Sequence, residues 1–86
     1  MRTIYKYEFV IEDGDQHAMI HEHFRLVHVG MQHHHICLWA EVDTANVKVA
    51  ARFRVVGTGH DYPTGDWDAL GSVFHGPFVW HLLHAS

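Results

Sequence analysis

Cysteine is almost missing from these 86 residues: Cys37 stands alone, so no disulfide closes within the chain, and zinc patterns built on cysteine pairs are excluded. A reducing compartment is the simpler expectation. Long apolar runs are also missing, none approaching the roughly 20 residues of a membrane helix. The start Met1-Arg2-Thr3-Ile4-Tyr5-Lys6-Tyr7-Glu8 is charged and alternating, without the apolar stretch of a signal peptide. A soluble intracellular protein with no membrane partner is expected. Basic residues are few, 6 against 10 acidic ones, giving a formal charge of −4 with histidine neutral. Duplex nucleic acid is therefore a poor partner, because binding it takes a cationic stripe that releases counterions.

Histidine, by contrast, is abundant. Protonating all 11 would bring the formal charge to +7, a change centred near the pH where free imidazole titrates, about 6.5. Solubility, binding and assembly are expected to respond to pH. The length leaves room for one domain, residues 1–86, and the 13% aromatic content supplies large buried areas to a short chain.

Period-two alternation of β-branched and aromatic residues runs through the sequence and predicts strands rather than helices. Tyr5, Tyr7, Phe9 and Ile11 share one face of a first strand, opposite Lys6 and Glu8. Glu12 to Asp15 supplies a turn, and a short second strand follows over His17–His21. Arg25–Gln32 places Val27, Val29 and Met31 opposite Leu26 and His28. Ile36–Val42 sets Ile36, Leu38, Ala40 and Val42 against Cys37, Trp39 and Glu41, so His33-His34-His35 becomes the tip of a hairpin. Val47 to Val55 alternates with Lys48, Arg52 and Arg54, and Leu70–Phe74 and Phe78–His84 close around Gly76-Pro77. The expected fold is mainly β: a small antiparallel sandwich or barrel of about six to seven short strands with little helix.

The densest chemical signal is Arg52 to Tyr62. Arg52 and Arg54 lie on one strand face about 7 Å apart, and the strand ends in Gly57-Thr58-Gly59-His60. Two residues without Cβ allow consecutive amide N–H groups to converge into an anion-binding concavity, to which the arginines and His60 add charge. The same glycines also serve a plain strand-to-loop turn. The run is not a known phosphate loop: Tyr62 stands where the dinucleotide fingerprint has its third glycine, and no Lys-Ser/Thr pair follows as in a Walker loop. Tyr62, and Trp67 in the Asp-rich segment before Leu70, offer rings to stack on a base or anchor a partner. Trp39 and Trp80 fall in strands, as core or interface.

Other chemistries find less support. His21 and His23 have a spacing that chelates from one strand face, but the metalloprotease pattern fails at Arg25, and no metal or cofactor is expected. Cys37 sits within a strand, where a structural thiol is the ordinary role, and neither a nucleophile elbow nor a paired-cysteine deaminase motif is present. Asp61, Asp66 and Asp68 do not form a calcium loop. An enzyme is not expected.

Ile4-Tyr5-Lys6-Tyr7, Cys37-Leu38-Trp39-Ala40-Glu41-Val42-Asp43, Phe53-Arg54-Val55-Val56-Gly57-Thr58-Gly59-His60 and Gly76-Pro77-Phe78-Val79-Trp80-His81 together resemble a family of small proteins encoded mainly in tailed bacteriophages and prophages. The resemblance spans nearly the whole chain and brings no activity with it; His33 to His35 depart from its pattern. It implies action in the host bacterial cytoplasm by binding, as family-level analogy to phage proteins that block immune effectors or sequester nucleotide signals. The first expectation is a non-enzymatic anti-defence protein, in homo-oligomeric form. Gly57, Thr58, Gly59 and His60 would cradle an anionic, nucleotide-like ligand, Arg52 or Arg54 would pair with it, and Trp67 or Tyr62 would stack on a base. Alternatives are a protein-binding inhibitor of a host immune effector, resembling anti-CRISPR proteins in role, and a virion or regulatory structural component.

Overall fold

The computed structural model describes all 86 residues, which form seven strands and no helix. In chain order they are β1 (Arg2–Phe9), β2 (Asp15–His21), β3 (Arg25–Gln32), β4 (His35–Asp43), β5 (Lys48–Gly57), β6 (Trp67–His75) and β7 (Phe78–Ala85). A three-stranded sheet of order β1-β4-β3 packs on a four-stranded sheet of order β2-β5-β7-β6, and every pairing is antiparallel. The expected small β-sandwich is the observed fold.

Between the sheets lies a core supplied by alternate residues, as the pleat requires. Ile36, Leu38, Ala40 and Val42 of β4 are all buried, facing Ile20, Phe53, Val55 and Leu82. At its centre the Phe9 and Phe53 rings meet at 4.7 Å between centroids. Full burial of side chains of this size stabilises by roughly 1.5–3 kcal/mol each, which is how so short a chain holds two sheets together.

Two bulges interrupt the ladders, and the first revises the faces expected for β3. In β3 the register shifts between Leu26 and His28, so Leu26 pairs with the inward-facing Ala40, and His28 with Trp39. Leu26 therefore joins the inner side, opposite to its assignment by simple alternation, while Val27 is half exposed. In β6 a shift between Ala69 and Gly71 sets Leu70 between two pairs. One inserted residue inverts everything beyond it in an alternating pattern. The second bulge places Gly71 against β3: a Cβ there would stand 2.8 Å from Val29 Cβ. Only glycine allows β6 to close on β3 and shut that side of the sandwich.

The hairpin tips follow turn chemistry in one case and defy it in the other. Gly76 takes φ of 59° in the two-residue β6–β7 connection, where glycine meets no steric cost. In the β3–β4 turn, His33 (φ 52°) and His34 (φ 65°) both adopt the left-handed region that a type I′ turn demands and that residues with a Cβ resist. His35 does not belong to the tip; it is the first residue of β4 and pairs with Gln32.

Candidate functional site

The site begins with a topological consequence. β5 and β6 both flank β7, so the chain leaving β5 at Gly57, opposite Trp80, must return to Trp67, opposite Ala85. Residues 58–66 make that parallel crossover on the outer side of the four-stranded sheet. Leu83 points outward, pairing with Arg54 and Ala69, yet it is only 1% exposed because the crossover covers it.

Between crossover and sheet lies a cleft of about 330 Å³, lined by Val56, Leu83, Ala69 and His81 from the sheet and by Gly57, Thr58, Gly59, His60 and Tyr62 from the connection. Five of the eight residues marked by sequence thus meet in one concavity. Val56, Ala69 and Leu83 give it an apolar floor, and its hydroxyl and imidazole groups are linked to one another. Thr58 Oγ1 lies 2.7 Å from His81 Nε2, and Ser72 Oγ lies 2.6 Å from His81 Nδ1, so both ring nitrogens are engaged by hydroxyls. At each contact, hydroxyl and ring nitrogen share one proton, and either can be the donor. Tyr62 stands at the rim with 57% of its surface exposed.

The glycine turn is built differently from an anion nest. The Thr58 N–H donates to Val79 O and the His60 N–H donates to Gly57 O, both at 3.0 Å. Two of the three successive amides are therefore spent on the fold, leaving that of Gly59, whose φ of 88° needs glycine. The turn is held by His60, whose ring meets Trp80 edge-on at 5.6 Å and abuts the Cα of Gly57 so closely that a Cβ there would be 2.9 Å from the imidazole.

Arg52, Arg54 and Trp67 form a second group on the same outer face. Asp15, paired in register with Arg54 across β2 and β5, forms ion pairs with both guanidinium groups at 3.4 Å and accepts a hydrogen bond from that of Arg52. Arg52 also lies 4.9 Å from the centroid of the Trp67 ring, a cation–π arrangement. Trp67 is not in a loop but opens β6, and its Nε1–H donates to Thr64 O at 2.9 Å. One ring face of Trp67 is thus occupied by Arg52 rather than open to a base. Arg54 reaches a neighbouring hollow with Gly59, His60, Asp61 and Asp13, where two carboxylates offset its charge.

The remaining candidates disperse. His21 Nδ1 contacts Asn46 O at 2.6 Å, His23 occupies a turn at φ 61°, and nowhere do three His, Cys, Asp or Glu side chains converge as a metal would require. Cys37 is fully buried, and burial pushes its thiol up, which disfavours the thiolate. His81 and Ser72 were not singled out from sequence. Each sits in ordinary strand alternation, and only the β6–β7 register, His81 opposite Ser72, joins them.

The fold and cleft define a small all-β protein with a one-sided ligand-sized concavity on an outer sheet face. The whole chain, residues 1–86, matches one family, described as "Domain of unknown function (DUF7352)", and the protein belongs to that family. Neither the curated proteins nor the solved structures contain a match. No helix is long and apolar enough to cross a membrane.

Proposed function

We propose that this is a non-enzymatic, phage-type anti-defence protein that sequesters a nucleotide-like immune signal in the cleft between the crossover and the four-stranded sheet. The observation that carries the reading is the convergence of Gly57, Thr58, Gly59, His60 and Tyr62 with His81 around one concavity. A volume of about 330 Å³ is at the small end of ligand sites, and it suits a single base or sugar-phosphate unit. The exposed Tyr62 ring supplies a stacking surface, the hydroxyl–imidazole chain reads polar edges, and the apolar floor of Val56, Ala69 and Leu83 takes a flat face. Anion recognition falls to the Gly59 amide, with the Arg52–Asp15–Arg54 group, one carboxylate between two cations, as a more distant positive source, while the His60 ring holds the turn against Trp80.

Native mass spectrometry of untagged protein incubated with extract from phage-challenged bacteria tests this. A small-molecule adduct that fragments to a nucleobase, and that is lost with Tyr62→Ala, is expected. The bare protein in every extract would refute sequestration.

A second reading, a protein-binding inhibitor of a host immune effector, draws on a different surface. Phe74 and Phe78 are 78% and 63% exposed beside the β6–β7 turn, where a rigid hairpin presents aromatic anchors of the kind that dominate protein interfaces. A protein-sized adduct in the same experiment, abolished by Phe74→Ser and Phe78→Ser but not by Tyr62→Ala, favours this reading over the first.

A further inference from the structure

One side of the sandwich is shut where β6 packs on β3; on the other side β1 ends the three-stranded sheet with its outer edge unpaired. β1 carries no bulge along its pairing with β4, from Arg2 to Phe9, and it contains no proline. Exposed strands usually carry such devices to prevent edge-to-edge pairing, and of the recognised ones β1 has only its charged side chains, Arg2, Lys6 and Glu8. Apolar surface accompanies the open edge: Ile4 is 53% exposed and Tyr5 42%.

We propose that β1 is a self-association surface, joining two copies of this chain antiparallel, edge to edge, about a two-fold axis at Tyr5. The argument is the charge pattern of the strand. A two-fold axis perpendicular to a continuous sheet pairs residues whose numbers have an even sum, because both copies must keep their inner faces on the same side. With Tyr5 opposite Tyr5, Arg2 of each copy faces Glu8 of the other, and Lys6 faces Ile4, which gives two opposite-charge pairs and no repulsion. A shift by one residue towards the start, with Ile4 at the axis, sets Arg2 against Lys6. The opposite shift sets Lys6 against Lys6. Like charges directly opposite are destabilising, and of the registers free of them the Tyr5 axis pairs the longest stretch, Arg2–Glu8, whereas an axis at Tyr7, which sets Lys6 against Glu8, pairs only Tyr5–Phe9. Arg2 and Glu8 keep 63% and 44% of their side-chain surface exposed beside their present partners Glu41 and Lys6, so both are within reach of a second chain.

Sedimentation equilibrium of the untagged protein, from about 1 to 100 μM to span weak association, tests the assignment through a charge-swap cycle. The wild type is expected to form dimers. Arg2→Glu and Glu8→Arg should each weaken dimerisation at least about tenfold, since each creates two like-charge pairs. The double variant carrying both swaps should recover it, although the altered neighbour of Glu41 remains. Far-UV circular dichroism and melting of each variant establish that the fold is retained. A wild type that stays monomeric throughout, or a dimer indifferent to both single swaps, would overturn the proposal; so would a double variant no better than the singles.

Discussion

Thr58 Oγ1, in the crossover, lies 2.7 Å from Nε2 of His81, a residue of β7 that stands 23 positions further along the chain. Ser72 closes the other side of the ring, so the imidazole is fixed in the cleft by two hydroxyls rather than by a carboxylate. A neutral imidazole presents one donor and one acceptor, and a hydroxyl can serve either. The chain of three groups is thus able to reverse its hydrogen-bond direction to suit what binds. Thr58→Val ends that adaptability without emptying the site. We expect it to lower affinity for a purine mononucleotide by about tenfold, the worth of one well-made hydrogen bond, while shifting the urea midpoint little. Isothermal titration calorimetry beside denaturation measures both.

Asp15 stands between Arg52 and Arg54 on the same outer face. Its replacement by Asn removes the counter-charge that the two guanidinium groups share, leaving Arg54 the carboxylates of Asp13 and Asp61 across the neighbouring hollow. All three side chains are substantially exposed, so the loss of stability is expected to be at most about 1 kcal/mol and to shrink with added salt. Anion affinity moves the other way: Asp15→Asn frees the arginines and should strengthen binding of an anionic nucleotide relative to its nucleoside. Calorimetry with the two ligands at low and high salt measures the difference.

Gly71 faces Val29 where β6 closes on β3, with 2.8 Å available between a new Cβ and the Val29 Cβ. Valine is stiff at χ1 and its Cβ is fixed to the backbone, so the strands must part. Gly71→Ala is expected to cost about 1–3 kcal/mol by overpacking. Adding Val29→Ala should not rescue it, since the alanine keeps the offending Cβ. Adding Val29→Gly should restore closure in part, and urea titration of the wild type, the three single variants and the two doubles measures the coupling.

His84 lies on the inner face of β7, with its ring 5.0 Å from those of Phe24 and Phe53. Burial holds its pKa below the ordinary imidazole value, partly opposed by Asp68. A base whose folded pKa is depressed favours the neutral form in the native state. Its contribution is therefore complete above the unfolded value of about 6.5 and is lost as pH falls towards the folded one. Glu8, held low mainly by its hydrogen bond with Lys6, and Asp43, held low mainly by the Ala45 amide, add their own losses further into acid. Melting temperature should decline from pH 7 to 5, and His84→Leu should flatten that part of the profile.

Much of the fold was legible because strand alternation reports burial directly: Ile36, Leu38, Ala40 and Val42 read as one face and form one face. Alternation failed in β3, where the residue inserted at Val27 turns Leu26 inward, because a bulge is decided by the partner strand and leaves no local mark. At the site, Gly57 to Tyr62 announced themselves by composition. The roles of Arg52, Arg54 and Trp67 did not follow from that group, because Asp15 and the cation–π contact come from register across other strands. His81 was hidden for the same reason, one histidine among 11 until pairing set it between Ser72 and Thr58.

The central claim, that the crossover cleft is a nucleotide-binding site, is tested most directly by titrating uniformly ¹⁵N-labelled protein with mononucleotides and cyclic dinucleotides while following backbone amide shifts. Saturable shifts confined to Gly57, Thr58, Gly59, His60, Tyr62 and the neighbourhood of His81, needing about tenfold more ligand in Thr58→Val, are the predicted result. Amides that stay unmoved for every nucleotide, or shifts centred on another surface, would contradict it.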